Sequence, residues 1–197
     1  MYNQFFLILK RDLLGCFRDS ISWFSMTFFI LCIILFPIGM GVNSAALSPV
    51  APIIVWVSAL FANLLSLDRL YKEDFDDGTL QNYYVSGTSL TVVVLVKCLS
   101  HWIFTGLPIV IISPIIGSII NLNSNGMFAL FLGLLLGTPI LTLIGSPIAA
   151  LTLGLSMRGP ILAFICIPFM IPILVFGVSA VNSSISHVNY YSELYLL

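Results

Sequence analysis

Long apolar stretches alternate with short polar breaks along the whole chain. Five of these stretches are long enough, at about 20 residues or more, to cross the hydrocarbon core of a bilayer as helices. Before the first of them, Phe5, Leu9, Leu13 and Phe17 recur at steps of four between charged residues. That spacing is typical of an amphipathic helix in the membrane interface. We therefore predict a single all-α, polytopic membrane domain, 1–197, with an interfacial helix at 3–19 and spans near 21–42, 50–67, 98–120, 126–157 and 159–181.

The composition agrees with this membrane architecture. Charged residues make up 8% of the chain and mean hydropathy is +1.12, whereas about a quarter of residues are charged in soluble domains. A net charge of −1 without a basic run gives no indication of nucleic-acid binding. The four cysteines are far apart and form no C-x-x-C, so they indicate neither a zinc site nor covalent haem attachment. We predict no metal site.

The distribution of basic residues predicts the orientation of the spans. Cytoplasmic segments of membrane proteins carry an excess of Lys and Arg. With five spans and a cytoplasmic N-terminus, the inside segments contain six of the seven basic residues, and Lys97 lies close to one of these segments. The six are Lys10, Arg11, Arg18, Arg69, Lys72 and Arg158.

A charged segment, residues 68–89, follows the second predicted span. Seven of the ten positions from Asp68 to Asp77 are charged, out of fifteen Asp, Glu, Lys and Arg residues in the chain. Leu67, Leu70, Tyr71 and Phe75 form an apolar stripe on a short helix, which predicts that the charges lie on its water-facing side. Gly78 is expected to end this helix, and Asp76 or Asp77 to cap a second one that begins near Thr79.

An EF-hand calcium loop is excluded for the charged segment. With Gly78 as the sixth position, two ligand positions of such a loop would be Phe75 and Tyr84, whose side chains do not coordinate calcium. A solvated loop without a partner is the simpler alternative. The amphipathic pattern and the five acids against two bases instead favour a surface that docks a partner protein.

Four motifs resemble the cytochrome c maturation protein B family, the haem exporter permeases. They are "RLYKEDFDDGTLQ" (69–81), "VKCLSHWIFTGLPIVIISP" (96–114), "LLGTPILTLIGSPIAALTLGL" (135–155) and "IPFMIPILVFG" (167–177). The first also resembles the "E-x-G-T-L" loop of the wider ABC-2 exporter permeases. The likeness covers nearly the whole chain in order. The family usually has a sixth span, of which "NYYSELYLL" provides only about nine residues, so we expect five complete spans and a truncated sixth.

The resemblance implies a permease subunit of the ABC-2 type that serves haem export or delivery in c-type cytochrome biogenesis. Its implied partners are an ABC ATPase subunit, the other membrane subunits of cytochrome c maturation, and membrane lipid. The implied location is the bacterial inner membrane, with the N-terminus cytoplasmic and a mitochondrial inner membrane as the alternative. The charged segment becomes the loop that couples to the ATPase, through Asp68, Arg69, Tyr71, Glu73, Asp74, Asp76, Asp77 and Gly78.

We predict no catalytic residue in this chain. The phosphate-binding pattern G-x-x-x-x-G-K-[ST] is absent from the sequence, so ATP is expected on the partner. Only Lys97 and His101 place a charge or an imidazole near a span. His101 and Trp102 are therefore candidates for haem handling, since imidazole ligates haem iron; an interfacial, hydrogen-bonded histidine is the alternative. His187 is an outer-loop residue that is either a ligand or simply solvated.

Two other functions share this fold and this loop. One is a general ABC-2 exporter permease for a different amphipathic substrate, such as a lipid-linked sugar or a drug. The other is a non-transporting subunit that relays ATP-driven conformational change to a haem-binding neighbour. The extended likeness around "HWIFTGLP" favours the haem family over the first, while the sequence does not separate transport from relay. We expect no tightly bound cofactor, with haem as the substrate.

Overall fold

All regular structure is helical in the part of the chain that the computed structural model describes, residues 2–18, 20–41, 47–120, 122–186 and 191–197. A π-helical segment, Trp102–Gly106, joins two of the helices without a break. The helices in chain order are α1 (Tyr2–Arg18), α2 (Ser20–Met40), α3 (Leu47–Leu67), α4 (Lys72–Asp76), α5 (Thr79–Val85), α6 (Leu90–His101), α7 (Leu107–Ile119), α8 (Ser124–Leu151), α9 (Arg158–Ile185) and α10 (Tyr191–Tyr195).

Five helical stretches are long and apolar enough to cross a membrane. The predicted all-α polytopic architecture is therefore confirmed. The third stretch is continuous from α6 through the π segment to α7, so it begins earlier than the predicted residue 98. The fourth ends at Leu151 rather than near 157, in a turn where Gly154 has a φ of +81°, a backbone conformation that favours glycine. The five stretches are Trp23–Met40, Pro49–Asp76, Leu90–Ile119, Ser124–Leu151 and Arg158–Ile185.

Helix α3 lies at the centre of the bundle and packs against α2, α8 and α9. Its Trp56 is almost completely buried because three glycines of α8 and α9 leave room for the indole ring. A methyl group on Gly137 would come within 2.6 Å of that ring, and one on Gly177 would overlap it. Small residues allow close approach of helices in membranes, where packing rather than hydrophobic exclusion holds them together.

Helix α1 packs against α6 instead of lying free of the bundle. Its Ile8 is buried against Val93 and Val96, and Phe5 and Leu9 border the same cluster. Part of the stripe that predicted an interfacial helix is thus used for contact with a spanning helix. This contact places the charged residues of α1 beside the charged segment.

Candidate functional site

The charged segment folds as two short helices separated by a glycine. Gly78 has a φ of +72° and turns the chain between α4 and α5, as its position predicted. The predicted capping of α5 by Asp76 or Asp77 is wrong. Gly78 is itself the residue before α5, and no side chain accepts a hydrogen bond from that end of the helix.

The side chains of this segment divide into two sets. Asp68, Tyr71 and Asp74 contact other helices, and we call them the inward face; Tyr71 and Asp74 are buried, whereas the Asp68 side chain is 33% exposed. The second set, Glu73, Asp76 and Asp77, is exposed, and we call it the acidic face. The expectation that all the charges face water is therefore wrong for Asp74. Of the remaining predicted residues, Arg69 is half-buried and lines a cavity, and Gly78 forms the turn.

The predicted apolar stripe is also distributed differently from a single helical face. Leu67 and Tyr71 are buried, whereas Phe75 is 41% exposed. The reason is that the helix is not continuous, because α3 ends at Leu67 and α4 begins only at Lys72. Phe75 consequently lies next to the exposed acids instead of under them.

Asp74 is the centre of a charge cluster that consists of Arg11, Asp12, Asp74 and Lys97. One Asp74 oxygen, Oδ1, lies 2.7 Å from Arg11 Nη2, and the other, Oδ2, lies 2.6 Å from Lys97 Nζ. Asp12 completes the cluster at 3.0 Å from Arg11 and 3.4 Å from Lys97. The side chains of Asp12, Asp74 and Lys97 are each at most 10% exposed. Two cations and two carboxylates thus balance one another in a site that is nearly buried except at Arg11, whose side chain is 45% exposed.

The electrostatics of Arg11 reflect this environment. Burial lowers the pKa of the guanidinium, but the carboxylates of Asp74 and Asp12 outweigh burial and raise the pKa above its ordinary value. The guanidinium carbon also lies 5.6 Å from the centre of the Tyr83 ring of α5, within the range of cation–π attraction. Arg11 therefore links α1 to both short helices of the charged segment.

The other two side chains of the inward face reach different helices. Asp68 Oδ1 lies 3.3 Å from Nε of Arg158, the first residue of α9. The hydroxyl of Tyr71 shares a 2.6 Å hydrogen bond with Ser146 of α8, and either oxygen can donate. The charged segment is thus attached to α1, α6, α8 and α9.

A cavity of about 300 Å³ lies between the charge cluster and the bundle interior. The cluster forms one wall, and Ser100, His101 and Thr105 line it as well. Its volume is at the lower end of small-molecule pockets in proteins. The cavity joins the two regions that the sequence singled out separately, the charged segment and the His101 region.

His101 is buried within a network of hydroxyl groups. Its Nε2 lies 2.6 Å from Ser66 Oγ and its Nδ1 lies 3.1 Å from Thr142 Oγ1. The hydroxyls of Thr142 and Ser66 each also donate to a backbone carbonyl oxygen, that of Thr138 and that of Asn63, so the donor and acceptor roles of the two ring nitrogens depend on the tautomer. Asn63 donates to Thr142 as well. The imidazole thereby connects α3, α6 and α8, and iron ligation through Nε2 would first require Ser66 to move.

Trp102, the other haem-related candidate, begins the π segment. Its indole N–H donates to Thr138 Oγ1 at 2.9 Å, and its ring covers the position that a Cβ on Gly106 would occupy. π-Helical turns inside α-helices are frequent at functional sites. Trp102 and His101 both bond α8, whereas His187 lies outside the described residues.

Sequence reasoning used Arg11 only to orient the spans, gave Asp12 no role in the site, and treated Lys97 only as a neighbour of the membrane. A signal was present, since a lysine within a span requires a buried counter-charge. The sequence offers eight acids as candidates for that counter-charge. The packing of α1 on α6 selects Asp12, and the position of α4 beside α6 selects Asp74.

The chain is similar to known proteins over almost its full length. A family model described as CcmB protein matches residues 3–197. Heme exporter protein B of Haemophilus influenzae is 39% identical over 194 residues, 98% of this chain and 88% of the relative. The protein of the same name from Pseudomonas aeruginosa is 40% identical over 186 residues, 94% and 83% of the two chains. The one from Escherichia coli K12 is 37% identical over 185 residues, 93% and 84%.

Proposed function

Because the chain belongs to the CcmB protein family, we propose that it is the membrane permease subunit of a haem exporter that serves c-type cytochrome biogenesis. Five helical stretches suited to crossing a membrane and relatives named heme exporter protein B carry this proposal. Haem is the substrate. Family membership favours haem over the lipid-linked sugars or drugs of general ABC-2 exporters.

ATP is hydrolysed on a separate ATPase subunit, which docks on the acidic face. Glu73, Asp76 and Asp77 are exposed on or directly beside α4, and none of them belongs to the charge cluster. Exposed Phe75 adds an apolar contact at the centre of these acids. A partner groove with basic residues around an apolar pocket is complementary to this surface.

The acidic face is on the cytoplasmic side of the bacterial inner membrane, where ATP is available. The basic residues of α1, the charged segment and the start of α9 meet at one end of the bundle, as the contacts of Arg11 and Arg158 require. The positive-inside rule assigns that end to the cytoplasm. The N-terminus is then cytoplasmic.

His101 and Trp102 contribute to haem handling by holding α6 to α3 and α8, rather than by ligating iron. Both ring nitrogens of His101 and the indole N–H of Trp102 are already within hydrogen-bonding distance of hydroxyl oxygens. The conformation of this layer then decides how the cavity opens. The other membrane subunits of cytochrome c maturation receive the haem.

Expression in a bacterium that lacks its own Heme exporter protein B tests the function. We expect the chain, produced together with its ATPase partner, to restore c-type cytochromes measured by haem staining and by absorbance of the reduced α band. The complex purified with ATPase should carry haem that leaves on addition of ATP. Absence of c-type cytochromes despite normal membrane insertion and ATPase binding would contradict the proposed function.

A further inference from the structure

The inward face follows a simple spacing along the charged segment. Asp68, Tyr71 and Asp74 are three positions apart, and each contacts a different part of the bundle. Asp68 reaches α9, Tyr71 reaches α8, and Asp74 reaches α1 and α6 together. The acidic face occupies other positions of the same segment. One stretch of chain therefore contacts four helices through one set of side chains and leaves a second set exposed, of which Glu73 and Asp77 also line the cavity.

We propose that the inward face transmits movement of the charged segment to the membrane helices, with the Asp74–Lys97 pair as its main connection. The proposal rests on the proposed function, since it takes the ATPase to bind the acidic face. Asp68, Tyr71 and Asp74 are then positioning residues that do not touch the ATPase. Arg11, Asp12 and Lys97, which the sequence analysis did not assign to coupling, join them in this role.

The burial of the charge cluster supports a mechanical role over simple solubility. Exposed ion pairs contribute little to stability, whereas breaking a buried pair leaves an uncompensated charge at high cost. Asp74 is nearly buried and has a cation on each oxygen. The pair therefore keeps the segment attached to α6 when the segment is displaced, because separating Asp74 from Lys97 leaves two uncompensated charges in a nearly buried site.

The cavity allows such a movement. Asp74, Lys97 and His101 all line it, so this side of α6 is not closely packed. Lys97 and His101 are one helical turn apart, and His101 is bonded to α3 and α8. A displacement at Asp74 thus reaches the centre of the bundle through one turn of helix and two hydrogen bonds.

Hydrogen–deuterium exchange of the purified permease alone tests the connection without any ATPase. The reporters are α4 amides that bond within the charged segment, such as Phe75 N–H to the carbonyl oxygen of Tyr71 at 3.0 Å. Asp74→Asn should speed exchange of the peptide covering 72–85 by about tenfold or more, because Lys97 and Arg11 lose their shared carboxylate. Asp76→Asn, an exposed change on the same helix, should leave exchange within about twofold of wild type.

If the Asp74→Asn permease does not accumulate in the membrane, a double variant provides the same test. Asp74→Asn with Lys97→Met removes one charge of each sign and leaves Arg11 paired with Asp12. Its exchange should be faster than wild type but slower than the single variant, since no buried charge is left unpaired. Wild-type exchange in either variant would overturn the proposal.

Experiments with the ATPase present distinguish a failure of this proposal from a failure of the proposed docking function. Asp74→Asn should still bind the ATPase, while c-type cytochrome yield falls at least about fivefold. Loss of ATPase binding as complete as in Asp76→Lys/Asp77→Lys would make Asp74 a docking contact and overturn the proposal. A wild-type chain that binds no ATPase would refute the docking function, whereas the exchange result for the inward face would stand.

Discussion

At the residue scale, His101 shows how a polar side chain is kept inside an apolar bundle. Neutral imidazole has one donor and one acceptor, and each ring nitrogen lies within hydrogen-bonding distance of a hydroxyl, Ser66 Oγ for Nε2 and Thr142 Oγ1 for Nδ1. Thr105 in turn donates to Ser66, so the network continues along the cavity wall. Removal of the ring leaves buried hydroxyl groups with fewer partners, which costs about 1–3 kcal/mol.

We predict that His101→Ala lowers c-type cytochrome yield and the thermal stability of the purified permease together. His101→Gln should restore a large part of both, because its amide offers a donor and an acceptor to the same two hydroxyls. Yield by haem staining and unfolding temperature in detergent are the measurements. A normal yield in His101→Ala at unchanged protein level would leave the residue without a role, and loss of yield without loss of stability in both variants would favour iron ligation.

The sequence predicted the chemistry of single residues better than their partners. Tyr71 and Asp74 were named as coupling residues and His101 as a haem candidate, but the charges of the segment were expected to face water. Asp74 is separated from Arg11 by 63 positions, and no local pattern connects them. The inward position of a carboxylate depends on which distant cation packing brings to it.

At the element scale, three glycines make α3 the central helix of the bundle. Gly133 and Gly137 of α8 and Gly177 of α9 surround the indole of Trp56. Helix association in membranes depends on such close contacts. Lipid tails contact apolar side chains as well as a neighbouring helix does, but they do not reproduce the close van der Waals packing of Trp56 against the glycines. The fit between these three helices fixes the position of the polar layer that contains His101.

We predict that Gly177→Ala destabilises the permease by about 1–3 kcal/mol, the usual cost of adding a methyl group to a filled core. The added Cβ would overlap the Trp56 ring, so α9 or α3 has to shift. Gly159→Ala in the same helix is the matched control, because nothing lies within 4 Å of its new Cβ. Unfolding of both variants in detergent is the measurement, and equal stability of the two would contradict this packing.

Elements were predictable from the sequence where a local signal exists. The break at Gly78 followed from the glycine itself, and the spans followed from apolar length. The π segment and the end of α8 at Leu151 were not predictable in the same way. Both depend on how the backbone N–H and C=O groups near prolines and glycines find hydrogen-bond partners, and on how neighbouring helices pack there. The length of an apolar stretch does not predict either.

At the scale of the whole molecule, the described charged side chains gather at one end of the bundle, apart from Glu193. That residue accepts a hydrogen bond from Ser183, near the other end of α9. Hydrogen bonds from Ser192, from its own backbone and from Ser183 lower the pKa of Glu193. Among the described residues, most charge contacts therefore lie at one end of the bundle, and Glu193 lies at the other.

The most direct measurement is binding of the purified ATPase subunit to membrane vesicles that contain the permease. We predict saturable binding to inside-out vesicles and none to right-side-out vesicles. Asp76→Lys/Asp77→Lys should weaken binding at least about tenfold, since it places like charges against a basic groove, while Glu193→Lys at the opposite end should leave binding unchanged. Equal binding of the ATPase to vesicles with wild-type and reversed acidic face, or binding only to right-side-out vesicles, would contradict the account.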